Sequence, residues 1–232
     1  GINDRNFIFD DSKINFDGII MDEYKDRNAD LPIYHSSARG ITNIAIFGID
    51  SQNSNSGRSD AIMILTIDSV KGKIKLSSII RDSYVFIEGR GMDKINHAYS
   101  FGGPQLALKT LNQNFNLDIR HFITVNFSSM PKVIDKLGGV YLDISEKEAA
   151  VISGIDSAGT HLLNGKQALA FSRIRKIDSD FERSRRQRDV MESLIRRVLE
   201  RNITEYPELA REIFPLLHTN VDKNKILLSG AT

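Results

Sequence analysis

ITNIAIFGIDSQNSNSGRSDAIMILTIDSVKGKIKLSSIIRD, residues 41–82, holds three short apolar runs separated by polar turns. ITNIAIFGI (41–49) and AIMILTI (61–67) are nearly continuous in apolar residues and rich in isoleucine. That is the pattern of strands buried on both faces. KIKLSSII (73–80) is a third strand candidate, reached through DSVKG, in which Gly72 suits a tight turn. If these strands are antiparallel neighbours, Asp50 at the end of the first and Asp60 at the start of the second share one edge of the sheet. The turn at 68–72 lies at the opposite edge, so the third strand returns to the first edge and delivers Arg81 and Asp82 there. Strand order alone thus gathers Asp50, Arg58, Asp60, Arg81 and Asp82 at one end, where loops of such sheets carry sites. Solvated ion pairs in turns account for any one of these residues, but less readily for all five.

Outward from this core, HFITVNF (121–127) and VYLDI (140–144) read as further strands. PQLALKTLNQNF (104–115) has helical spacing, with Leu106, Leu108 and Leu111, after a glycine-punctuated loop at 88–103. SSMPKVIDKLGG (128–139) reads as a helix closed by Gly138 and Gly139, and the chain is mostly helical from Asn164 onward. Strands alternating with helices predict an α/β fold: a three-layer α-β-α sandwich with a central mixed β-sheet, in a single domain. Residues 1–40, polar and irregular, read as a lead-in segment. Residues 41–205 form the body of the domain, and 206–232 a C-terminal helical extension packed on it.

Composition narrows the chemistry. The 232-residue chain has no cysteine, which excludes disulfides, zinc-thiolate sites and thiol nucleophiles. Its formal net charge is +1, so any anion site must be local. No apolar run approaches the roughly 18 residues that cross a bilayer. Since the chain opens at Gly1, we expect a natural N-terminal segment, including any anchor, to precede it.

The local concentration of charge is SRIRKIDSDFERSRRQRD (172–189), with six arginines in eighteen positions. Ser179 and Glu182 have the S-x-x-E spacing that opens a helix. Val190, Met191, Leu194, Ile195, Val198 and Leu199 mark its core stripe. On the helical wheel Arg183 and Gln187 fall within that stripe, while Arg185 and Arg186 point away from it. Arg185, Arg186 and Arg188 are expected on a solvated face. A guanidinium in the core stripe needs a partner. Either an internal carboxylate (Asp178 or Asp180) or a bound anion beside the helix start supplies it. Arg173 and Arg175 project the same way if that stretch is extended, with Ser172 and Ile174 opposite. Several arginines converging on one pocket suit a pyrophosphate.

Other signals are weak. GTHLLNGKQ (159–167) imitates a phosphate-binding P-loop, but five residues separate its glycines and Gln167 replaces the Ser or Thr. The five histidines show no metal-ligand spacing; His97, in KINHAY, either contacts a ligand or supports a loop. No nucleophile motif appears, which leaves carboxylates, arginines and a hard cation such as Mg²⁺ as the means of catalysis.

In order along the chain, IAIFGID, GRSDAIMILTID, SIIRDSYV, KINHAYSFGG and FSRIRKIDSDFERSRRQRD resemble the LytR-CpsA-Psr family over roughly residues 41–202. The resemblance implies a membrane-anchored phosphotransferase on the outer face of the bacterial cell membrane, held by a single-pass N-terminal anchor. Such an enzyme moves a teichoic acid, capsule or related glycopolymer from a polyprenyl-pyrophosphate carrier to a peptidoglycan hydroxyl, forming a phosphodiester. By the same resemblance, Asp50 and Asp60 are the Mg²⁺-associated carboxylates. Arg58, Arg81, Arg173, Arg175, Arg183 and Gln187 bind the pyrophosphate. Arg81, Asp82, Arg175 and Arg183 act at the reacting group, Asp82 as base for the acceptor or as a partner orienting Arg81. Two positions depart from the family's usual pattern: Ile80 stands where proline precedes the R-D pair, and Glu182 where glycine precedes the helix arginine. Neither removes a proposed ligand. The alternatives are a Mg²⁺-dependent lipid pyrophosphatase, a catalytically silent carrier-lipid binder, and a nucleic-acid-binding regulator using residues 173–201. Against the last, those residues hold ten Lys or Arg but also six Asp or Glu, so no nucleic-acid partner is expected.

Overall fold

The computed structural model describes residues 40–51, 57–68, 70–175 and 179–221. The lead-in segment before Gly40, the last residues of the C-terminal extension and Asp178 lie outside the described residues, as does the side chain of Asp180. Nine strands and six α-helices alternate along the described chain: β1 (Ile41–Ile49), β2 (Ser59–Asp68), β3 (Lys73–Ile79), β4 (Tyr84–Ile87), β5 (Gly91–Lys94), α1 (Ile95–Phe115), β6 (His121–Asn126), α2 (Met130–Lys136), β7 (Val140–Ile144), α3 (Glu146–Ala149), β8 (Gly159–Leu163), α4 (Gly165–Ser172), α5 (Asp180–Leu199), α6 (Tyr206–Ile213) and β9 (Leu217–Thr219).

The central sheet has the order β3-β2-β1-β6-β9. β1 runs antiparallel to β2 and parallel to β6, and the β2/β3 and β6/β9 pairs are antiparallel, so the sheet is mixed. Both faces of β1 and β2 are covered, as their unbroken apolar runs require. On one face Ile44, Ile46, Met63 and Leu65 pack with residues of α2, α4, α5 and the β7-β8 hairpin. On the other, Ala45, Phe47, Ile62 and Ile64 pack with α1 and the β4-β5 hairpin. Alternate residues of each strand therefore feed two separate cores, which makes the three-layer sandwich.

The predicted strands at β1, β2, β3, β6 and β7 are present, and Gly72 takes the left-handed conformation (φ 59°) its turn requires. The loop expected at 88–103 contains instead β5 and the first turns of α1. This helix begins at Ile95 and bends at Gly102 and Gly103, just before Pro104. The false P-loop is strand β8 running into α4, with Asn164 and Gln167 capping each other's backbone N–H groups. The extension after residue 205 is only partly helical: α6 packs beside α2, and β9 adds an edge strand to the main sheet.

Candidate functional site

The parallel pair β1/β6 points both carboxyl ends at one edge of the sheet, the position where open α/β sheets bind ligands. Asp50 follows β1 directly. Asp60 owes its place to a bulge: Gly48 pairs with Ala61 and Ile49 with Ser59, leaving Asp60 as the extra residue of β2. A bulge bends the strand and re-aims the side chain it carries. Gly48 beside it leaves little room, since a Cβ there would meet Ala61 Cβ and the Phe127 ring at 3.1 Å.

β3 returns to this edge as the sequence predicted. Arg81, 8% exposed, donates from Nη1 to Asp60 Oδ1 at 2.7 Å, and its Nε lies 3.5 Å from Asp82 Oδ2. The backbone carbonyl of Arg81 accepts from the N–H of Asn96 (3.2 Å), so the start of α1 holds the Arg81 turn from behind. Asp82 also accepts from Lys94 Nζ at 2.8 Å. That bond, joined by the Arg81 charge, outweighs partial burial and holds the Asp82 carboxyl below its ordinary range. A carboxylate so held is a weaker base, and its contacts fit the orienting role better than proton acceptance.

Arginines arrive from two further segments. Ser179 caps α5 by accepting from Glu182 N–H, and Arg183 follows in the first turn. Burial, as the largest influence, pushes the Asp60 carboxyl up from its ordinary value, opposed by the charges of Arg81 and Arg183 and assisted by that of Asp50. Arg183, Arg81 and Asp50 therefore all lie within electrostatic reach of Asp60. Arg173, the residue after α4, donates to Asp50 Oδ1 at 2.7 Å. Ser172 and Ile174 are buried while Arg173 and Arg175 are exposed, the division the sequence predicted, although a helix end rather than a strand produces it. Arg58 is exposed at the same edge.

Arg188 also belongs to this neighbourhood. Burial first, and then the charges of Arg185 and Arg81, lower its pKa from the ordinary guanidinium value. The fully solvated face expected for 185, 186 and 188 is not found: Arg186 is wholly buried and Arg185 half-buried. The core-stripe reading of Gln187 holds, at 2% exposed.

Three buried side chains beside the cluster carry an oxygen without a hydrogen-bond partner: Ser59 Oγ, Asn96 Oδ1 and Gln187 Oε1. Each such atom costs about 1–3 kcal/mol unless something outside the chain satisfies it. A donor from water or from a bound ligand satisfies it. Asp50 and Asp60 repel each other electrostatically, and a divalent cation relieves that repulsion. Among the described residues no group of three or more His, Asp or Glu is arranged around a metal. Mg²⁺ is commonly held by one or two carboxylates with substrate phosphates completing its shell, and this pair fits that mode. Sequence reasoning missed Ser59, Asn96 and Arg188 because each role depends on register or on a neighbour distant in the chain.

Comparison with known proteins identifies the family. The chain is 38% identical over 198 residues to the polyisoprenyl-teichoic acid–peptidoglycan teichoic acid transferase TagU of Oceanobacillus iheyensis, covering 81% of this chain and 61% of the relative. It is 34% identical over 196 residues to the regulatory protein MsrR of Staphylococcus aureus, covering 82% and 60%. It thus spans about three fifths of the length of these relatives. Among solved structures it resembles Bacillus subtilis TagV (TM-score 0.67, 29% identity, 84% of this chain and 79% of that one). It also resembles TagT bound to LIIa-WTA (TM-score 0.64, 29% identity, 82% and 75%). The LytR_cpsA_psr family model matches residues 13–232, and the chain belongs to that family.

Proposed function

We propose that this protein is a phosphotransferase that takes a glycopolymer, such as a teichoic acid or capsule polysaccharide, from a polyprenyl-pyrophosphate carrier and attaches it to a peptidoglycan hydroxyl. One observation carries the reading. Arginines from the end of β3, the α4–α5 connection and the start of α5 meet around two carboxylates at the sheet edge. The named function of TagU and the ligand in the TagT structure support it.

In this reading the diphosphate lies between Arg81 and Arg183, with Arg173 and Arg175 on its outer side. The acceptor oxygen forms a new bond to the sugar-side phosphorus, and the bond from that phosphorus to the bridging oxygen breaks. Polyprenyl phosphate leaves with the electron pair and takes up the proton that the acceptor hydroxyl gives up. The guanidinium groups hold the non-bridging oxygens as charge develops on them, the principal catalytic contribution in phosphoryl transfer. Asp82 keeps Arg81 and Lys94 in place. Mg²⁺, when bound at Asp50 and Asp60, supplies further charge neutralisation of the phosphates. This reading puts the enzyme on the outer face of the cell membrane; no helix among the described residues is long and apolar enough to cross a bilayer.

The test uses a synthetic polyprenyl-pyrophosphate-linked glycan and a peptidoglycan fragment, with the phosphodiester product followed by mass spectrometry. Arg175→Ala and Arg183→Ala should each cut transfer severely while leaving the protein folded. Normal turnover by both variants would remove these residues from the site. Release of free glycan phosphate, independent of acceptor, would identify a pyrophosphatase instead.

A further inference from the structure

Among the described residues Arg186 is the largest wholly buried side chain, at 0% exposed. Its Nε donates to Glu148 Oε1 at 2.8 Å, and its Nη1 donates to the backbone carbonyl of Ile174 at 3.0 Å. Glu148, 2% exposed, is itself fixed: its Oε2 accepts from the Ser145 backbone N–H (2.9 Å) and hydroxyl (2.8 Å) in the capping box of α3. Arg185 Nη2 approaches the same Oε1 at 3.2 Å.

A buried ion pair is a poor way to stabilise a fold, because well-packed apolar residues of similar volume do as well or better. The geometry gives this one another use. Ile174 lies between Arg173 and Arg175, and its side chain is buried. Tying its carbonyl to α5 fixes the backbone from which both arginines project outward. The tether leaves α5 one turn beyond Arg183 and one residue before Gln187. A single guanidinium therefore registers the two arginines of the α4–α5 connection against the two site residues of the helix, while Glu148 holds that guanidinium from behind.

We propose that Arg186, supported by Glu148, is a positioning residue for the anion site: it touches no substrate and acts by setting Arg173 and Arg175 against Arg183 and Gln187. The proposal rests on the anion-binding reading of these arginines, so the test measures binding directly and does not depend on transfer. Inorganic pyrophosphate is titrated by calorimetry into the wild-type protein, Arg186→Met, Arg175→Ala and the double variant. In Arg186→Met, Glu148 keeps Arg185 and Ser145 as partners, which favours a folded protein. Binding should weaken ~10-fold, the scale at which partners that orient a ligand residue act. The two substitutions should be strongly non-additive, because Arg186 works through the segment that carries Arg175. Hydrogen exchange should quicken at residues 173–175 in Arg186→Met but not in Arg175→Ala.

Equal and additive losses, or unchanged affinity with unchanged exchange at 173–175, would overturn the proposal. If Arg186→Met does not fold, Arg186→Lys enters the same cycle; it keeps the charge on Glu148 but lacks the planar fork, so it should show the same coupling at smaller size. Failure of the wild-type protein to bind pyrophosphate would instead bring down the anion-site reading. The exchange measurement would still decide whether Arg186 orders the segment.

Discussion

Arg81→Ala separates what the Arg81–Asp60 pair does for the fold from what it does for the reaction. In the native protein the pair is short (2.7 Å), with 10% and 17% of the two side chains exposed. Removing the guanidinium strands the Asp60 carboxylate in a site whose burial already raises its pKa, leaving Arg183 as the principal remaining counter-charge. Breaking a fully buried pair costs about 3–5 kcal/mol. Residual exposure and the Arg183 charge reduce this to about 2–3 kcal/mol, a fall in melting temperature of about 4–12 °C for a chain of this size. Asp60→Asn in the Arg81→Ala background removes the stranded charge and should recover most of that loss. Transfer should not recover: losing one stabilising contact at the transferring phosphoryl costs ~10²–10³ in rate. Thermal unfolding and product formation are measured on the wild type, both single variants and the double variant. A double variant as unstable as Arg81→Ala would refute the stranded-carboxylate argument. One that transfers at the wild-type rate would show that Arg81 does not touch the donor.

Four further outcomes are expected. Gly165→Ala places a Cβ 2.2 Å from the Pro131 carbonyl oxygen, so α2 and α4 must part; overpacking of this kind costs ~1–3 kcal/mol, read by chemical denaturation, with pyrophosphate affinity unchanged. For Glu148, burial raises the carboxyl pKa, but the Ser145 backbone N–H bond, the Arg186 bond, the Ser145 hydroxyl and the Arg185 charge together outweigh it and lower it below the ordinary value. Its contribution to stability is therefore present above the ordinary glutamate range and lost as pH falls through the lowered value; Glu148→Gln should flatten this acid limb in urea midpoints measured against pH. Asp60 has the opposite sign: its raised pKa means that stability is lost as pH rises through the raised value, and Asp60→Asn should abolish that loss. The same variant should weaken Mg²⁺ uptake measured by calorimetry with pyrophosphate present, and equal uptake would remove Asp60 from the cation site.

The sheet was legible where local pattern and burial coincide. β1 and β2 are buried on both faces, so their apolar runs stand out, and two turns sufficed to place Asp50, Asp60, Arg81 and Asp82 together. Arg183 and Gln187 were visible because they interrupt an aliphatic stripe. β4, β5 and β9 were not, since strands of three or four residues are too short for a period to show. β8 has only Leu163 buried, which leaves no alternation. Arg186 shows the limit most clearly. Besides its aliphatic stripe, α5 has a polar one, in which Arg186, Ser193 and Arg197 donate to the carbonyls of Ile174, Tyr141 and Gly139. Those acceptors are backbone atoms of distant segments. A helix face buried by hydrogen bonds looks solvated in sequence, because hydropathy registers the side chain and not its partner.

Several positions that depart from folding rules gather at one edge of the sheet. At the edge where β1 and β6 end, β2 carries a bulge at Asp60, two aspartates repel each other, and Ser59, Asn96 and Gln187 bury oxygens without partners. In the β2–β3 turn at the opposite edge, Gly72 takes the left-handed position, and Asp68 accepts from the Lys71 backbone N–H at 3.0 Å. Natural sequences depart from local consistency mainly where function requires it. In the proposed reading, the arginines at that edge meet a diphosphate and the aspartates its associated cation.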